Sequence, residues 1–293
     1  METKKVIEPS KYPKSLIQRT RLLEGRKIHS VICNGGSYFL IGLPIYEDGV
    51  VDCWQPVDLP RLKEKIEEGW LTPRIPENEK ISIFNLGSWD ILSPKWEYSK
   101  ENYYDFIVSV IKEMNPRLEN LFTSEKTTKV IGNSSYSVFT HSSAQLIRKD
   151  SERPNHKIQK GDTLHFFIKN DENIYELANL NIYADSILIL DGIENPKTVD
   201  INGLKELSKS KDLATELPIG ATLRIKNIGE FKVAKCNSFF NIESKIAEVL
   251  DIINKLNDKP TTSEICIKIY KDYKENPSKE LKMKLKEAYD NIP

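Results

Sequence analysis

Cysteine is scarce: four residues in 293 (Cys33, Cys53, Cys236, Cys266), with no C-x-x-C spacing among them. That excludes a disulfide scaffold and a zinc-ribbon signature, and it reads as a reduced, cytoplasmic protein. No run approaches the ~20 apolar residues of a membrane span. Lys4, Lys5 and Glu8 interrupt any apolar stretch of a leader peptide. Charge of one sign is also missing. Forty-three Lys and Arg balance 43 Asp and Glu, for a net charge of +0. Binding to nucleic acid by bulk charge is therefore disfavoured, although local basic patches are compatible with that balance.

Nucleotide and hydrolase signatures are absent too. There is no Walker loop, no G-x-G-x-x-G and no G-x-S-x-G. Asn34-Gly35-Gly36 has no helix after it, so it reads as a turn and not as a phosphate cradle. Glu230-x-Lys232 matches the E-x-K of metal-dependent nucleases. Composition alone yields about six acid-x-base triplets, and no upstream aspartate lies between Asp212 and Glu230. His141 and Ser142 are neighbours on one strand and would point to opposite faces. Asp52 sits mid-strand, where alternation lets it face water. No cofactor and no metal site is expected.

What the chain does have is internal repetition. "EGRKIHSVICN" at 24–34 lies over "KGDTLHFFIKN" at 160–170, matching Gly25 to Gly161, His29 to His165 and Asn34 to Asn170. One residue of slippage brings "YFLIGLPIYEDG" over "YELANLNIYADS". A five-residue insertion then brings "VDLPRLKE" over "VDINGLKE". "ISIFNLGSWDI" falls on "LRIKNIGEFKV", and the register continues through the following helix. Roughly a quarter of the paired positions are identical, and both gaps fall at turns.

Each copy reads strand-strand-strand-helix-strand-strand-helix. Asp48-Gly49 is a hairpin signal because glycine accepts positive φ. Asp58 and Asp200 are placed to cap helices. Leu59, Leu62 and Ile66 form one apolar stripe, and Ile201, Leu204 and Leu207 form the other. The fold class is α+β: two tandem modules, each an antiparallel sheet with helices on one face, with the element order of an OB-fold barrel as the alternative. The expected division is a basic segment at 1–23, module one at 24–115, a linker with a hairpin at 116–159, module two at 160–257 and a helical tail at 258–293.

Candidate binding residues follow from aromatic and basic placement. Tyr38, Tyr46 and Trp54 lie on the first meander, and Tyr175 and Tyr183 repeat two of them. On an open sheet face they would stack bases. Arg224, Lys226 and Lys232 add charge on a hairpin of the second copy. A further basic patch runs through Arg148, Lys149, Arg153 and Lys157. His29 and His165 occupy matching strand positions, with no Cys, His or carboxylate at metal spacing beside either.

The stretch "NGGSYFLIGLPIYEDGVVDCWQPVDLPRLKEKIEEGW", with "ISIFNLGSWDI" after it, resembles an uncharacterised bacterial family, a domain of unknown function. The hairpin, the "DCW" and the "GSW" carry the resemblance, which spans about the first third of the chain. No activity is implied, only a bacterial intracellular setting. The function expected from the residues is that of a non-enzymatic binding or adaptor protein contacting another protein. A nucleic-acid-binding tandem module comes second, and a hydrolase with a site between the modules third.

Overall fold

A computed structural model describes residues 23–123, 128–131, 134–137, 147–149, 158–238 and 240–293. All of the basic segment at 1–23 but its last residue, the His141-Ser142 pair, Arg153 and Lys157 lie outside the described residues. Module one runs β1 (Gly25–Asn34), β2 (Ser37–Tyr46), β3 (Val51–Asp52), β4 (Pro56–Val57), α1 (Leu59–Glu67), β5 (Leu71–Thr72), β6 (Lys80–Ile83), β7 (Gly87–Trp96) and α2 (Lys100–Met114). The connecting region holds β8 (Thr128–Ile131), β9 (Ser134–Ser137) and β10 (Ile147–Lys149), with β8 and β9 paired antiparallel.

Module two repeats module one: β11 (Ile158–Lys169), β12 (Tyr175–Tyr183), β13 (Leu188–Asp191), β14 (Lys197–Val199), α3 (Ile201–Lys209), β15 (Leu213–Ala214), β16 (Thr222–Ile225), β17 (Gly229–Ser238) and α4 (Ile242–Leu256). Two more helices, α5 (Thr262–Glu275) and α6 (Lys279–Asp290), pack on each other at the end. The chain is thus α+β and built from a duplicated module. Among the described residues no helix is long and apolar enough to cross a membrane.

Local chemistry explains the elements. Asp58 Oδ1 accepts from Arg61 N at 3.0 Å, and Asp200 Oδ1 accepts from Gly203 N at 2.7 Å, so each satisfies an orphan donor of a first helical turn. Leu62, Ile66 and Leu204 on these helices are buried. Gly35 and Gly36 both take positive φ, which closes the β1–β2 hairpin. At the next hairpin Gly49 has φ +82, and Ser186 takes the same left-handed place in module two at φ +64.

Pairing departs from a wholly antiparallel sheet at two equivalent places. β6 runs parallel to β2, and β16 runs parallel to β12. The chain returns to the same sheet after a helix, and such a crossover delivers a parallel strand. Among the described residues neither module closes on itself as an OB barrel does. β7 and β17 instead pair with each other, antiparallel, and merge both modules into one 15-stranded sheet.

Strand alternation then sorts the core. Ile32 and Ile41 face α1 and α2, while their neighbours Val31 and Leu40 face the opposite way. Module two has its own helix-side core around Phe166, Leu180 and Val249. The inward faces of both modules meet in a central core, where Trp89 packs edge-on against Phe167 at 5.2 Å between ring centroids.

Candidate functional site

The β7–β17 seam has internal two-fold symmetry. Gly229 pairs with Trp96 at one end and Gly87 with Ser238 at the other, and these two pairs are each other's equivalents. The axis passes between Ile91 and Val233. Each module therefore meets the same surface of the other, and residues repeated in sequence face one another across the axis.

His29 and His165 do so. Their ring centroids are 6.3 Å apart. His29 is buried and shares a 3.0 Å hydrogen bond between its Nε2 and Asn179 Oδ1. The backbone of Lys226 is its second partner. His165 lies directly across the strand pair from Asn179, but its buried Nδ1 has no hydrogen-bond partner among the described residues. Burial holds both imidazoles below their ordinary value. For His165 the field of His29 and Lys27 adds to that, bringing it to about 3. Burial thus favours the neutral form of both rings.

The two histidines differ because their partners differ. Position 179 carries asparagine, whereas its repeat equivalent, position 42, carries glycine. The side chain of Lys27 crosses the space above Gly42, its Cε 2.0 Å from where a Cβ would stand. Beside it opens a pocket of about 460 Å³. Phe39 and Gly42 of β2, Ser82 of β6, Trp54 and Phe84 line it from module one, and His165 reaches it from module two.

Aromatic rings dominate the mouth of this pocket. Trp54 is 57% exposed and Phe84 is 76% exposed. Trp54 sits at φ +70, a left-handed conformation unfavourable for a bulky residue. Phe39 and Trp70 hold it there, with ring centroids at 6.2 and 6.0 Å. Lys65 Nζ lies 5.2 Å over the Trp70 ring and completes the stack.

The equivalent place in module two is chemically different. A smaller recess of about 270 Å³ is lined by Glu176, Gly192, Arg224 and Lys226, among others. Glu176 stands for Phe39, Arg224 for Ser82, Lys226 for Phe84 and Asp191 for Trp54. Arg224 lies within 4 Å of four carboxylates: Glu230 at 3.2 Å, Glu172 at 3.5 Å, Glu176 at 3.6 Å and Glu194 at 3.7 Å. Glu176 is itself buried, so the recess has a charged wall with one carboxylate held inside it. A third recess, about 370 Å³, lies beyond α2. Asn115 braces it, donating to the carbonyls of Glu47 and Glu119.

The structure disperses the tyrosines. Tyr38 and Tyr175 pack against the central core. Tyr46 lies against Gly25 and Tyr183 against Gly161, each ring 2.9 Å from where a glycine Cβ would be. Trp54 stands exposed at the pocket instead. His29 and His165 come together, at the module interface. Arg224 is enclosed by acids, Lys226 lines the same recess, and Lys232 pairs across the hairpin with Thr222. Among the described residues no group of three or more His, Cys, Asp or Glu converges as a metal site.

Sequence reading missed Phe39, Phe84, Gly42 and Lys27. A signal was present: these are columns where the two copies differ in chemical character, Phe against Glu, Phe against Lys, Gly against Asn and Lys against Thr.

A family model covers most of both modules, matching residues 13–118 and again 151–260. No curated protein and no solved structure matches the chain. The chain belongs to the family described as a domain of unknown function (DUF7638), and it carries that domain twice.

Proposed function

We propose that the protein is a non-enzymatic binding or adaptor protein, and that it grips another protein through the module one pocket. One contrast carries this reading. The same place is a larger, ring-lined pocket in module one, but a smaller recess lined by charged side chains in module two. Exposed Trp54 and Phe84 supply large apolar area at small entropic cost, as interface anchors do. The duplicated architecture then presents one working site per chain, with module two supplying His165 and a rigid backing. An avidity gain from two equal sites does not fit this divergence.

The test is photo-crosslinking in a cell that naturally makes the protein. A benzoylphenylalanine replaces Phe84, and a second variant carries it at Ile219, which is 80% exposed on module two. The reading expects a protein adduct from position 84 and none from 219. It also expects that the captured protein, once purified, binds at one per chain, and that Trp54→Ser abolishes the adduct. Equal adducts from both positions would overturn it. A nucleic-acid adduct, with affinity falling steeply as salt rises, would replace it with the tandem nucleic-acid-binding reading.

A further inference from the structure

The pocket has an apolar, ring-lined mouth, and the Lys27 side chain lies over Gly42, one of its lining residues; together these define an occupant. Phe39, Trp54 and Phe84 present ring faces and edges, to which a flat ring is the best complement. Gly42 leaves out the carboxamide that Asn179 supplies in module two. Lys27 fills part of that gap. Its Nζ lies 3.1 Å from where a Gly42 Cβ would be, and among the described residues it makes no ion pair within 4 Å. Asp162 is the carboxylate whose field reaches it. A donor therefore stands where module two has an amide that bonds to the opposing histidine. His165 also lines the pocket, and its buried Nδ1 has no hydrogen-bond partner among the described residues.

We infer that the pocket receives a planar aromatic ring with a hydrogen-bond-accepting oxygen beside it, offered by an aromatic residue of the partner protein and the backbone carbonyl next to it. The ring enters between Trp54 and Phe84, and the oxygen turns inward to the Lys27 ammonium. This rests on the partner-binding reading above and names the group that would be gripped. A volume of about 460 Å³ leaves room for one aromatic side chain with its flanking backbone. Module two offers no such site, because Glu176, Arg224 and Lys226 line its smaller recess in place of rings, and Asn179, already bonded to His29, stands where module one has Gly42.

The experiment uses the full chain and small probes, read by NMR at the Trp54 indole N–H and the His165 ring. The probes are N-acetylphenylalaninamide, N-acetylcyclohexylalaninamide and a blocked five-residue peptide with a central phenylalanine. The expected result is that the phenylalanine amide shifts both signals, with the cyclohexyl analogue at least tenfold weaker. The blocked peptide should bind at least as well as the free amide. Lys27→Met should weaken the phenylalanine probe about tenfold. Gly42→Asn, which copies module two, should remove binding, and the three atoms nearest its Cβ all belong to the flexible end of Lys27. Should Gly42→Asn misfold, Phe84→Ser tests the mouth at an exposed position. Equal binding of the two ring types, indifference to Lys27→Met, or a peptide that fails where the amide binds would overturn the assignment. Crosslinking at position 84 without probe binding would remove only this assignment. Probe binding without a crosslinked protein would remove only the partner reading.

Discussion

Ile91 and Val233 pair across the seam, and each is the repeat equivalent of the other. Each also makes the same two backbone bonds within its own module. Ile91 N donates to Glu79 O and its carbonyl accepts from Asn78 N, while Val233 N donates to Ala221 O and its carbonyl accepts from Gly220 N. The seam is thus the internal axis of the molecule, and both modules depend on it for the central core.

The first prediction concerns that dependence. Gly229 sits at φ +142, and a Cβ there would lie 2.3 Å from the Lys95 carbonyl oxygen. The obstacle is backbone on the opposing strand, which cannot swing aside. Gly229→Ala is expected to cost at least about 3 kcal/mol by urea denaturation. Because the central core draws on both modules, the wild-type chain should unfold in one transition by near-UV and far-UV circular dichroism alike. Two resolved transitions would contradict the shared core.

Much of this architecture is legible in the sequence because it is local. The caps at Asp58 and Asp200, the Gly35-Gly36 turn and the apolar stripe of α1 each depend on residues a few positions apart. The duplication is legible because the two copies share a register. The seam is not. It joins strands far apart in the chain, and β7 extends through Pro94 to Trp96, where a strand signal is weakest. The parallel β2–β6 pairing is hidden for the same reason. The pocket escapes because an exposed phenylalanine such as Phe84 looks like core to any pattern of apolar residues.

The second prediction is a pH dependence. Burial, with the fields of His29 and Lys27 added, holds His165 at about 3 against an ordinary 6.5, and His29 is lowered by burial as well. Between those values the unfolded chain binds more protons than the native one. The neutral histidines thus contribute full stability above about pH 6.5 and lose it progressively as pH falls toward 3. The urea midpoint should drop from pH 7 to pH 5. His165→Gln, which removes one of the two groups, should show a smaller drop. An identical drop in both proteins would remove His165 from the account.

The third prediction concerns Tyr103, fully buried on α2, whose hydroxyl lies 2.7 Å from Ser30 Oγ. Tyr103→Phe strands the serine and Ser30→Ala strands the phenol, and each should cost about 1–2 kcal/mol. The double variant should cost less than the two together, because it strands neither group. Strict additivity in urea denaturation would show that the contact carries no coupling.

The fourth prediction uses the position equivalent to Tyr103. Module two has Lys245 there, fully buried, with its ammonium 3.0 Å from Glu248 Oε2 and 5.0 Å from the Phe240 ring centroid. Burial lowers the lysine from its usual range, and Glu248 opposes that. Asn85 of module one donates to the other Glu248 oxygen at 3.4 Å, so the pair also ties α4 to the opposite module. Removing one partner leaves the other charge uncompensated, whereas an apolar replacement of the lysine removes its desolvation cost together with the attraction. Glu248 is partly exposed, which places Glu248→Gln at the lower end of the buried-pair scale, about 3 kcal/mol. Lys245→Met should cost less than Glu248→Gln in the same urea experiment. The reverse order would mean that the lysine stem, and not the charge pair, fixes α4 against the sheet.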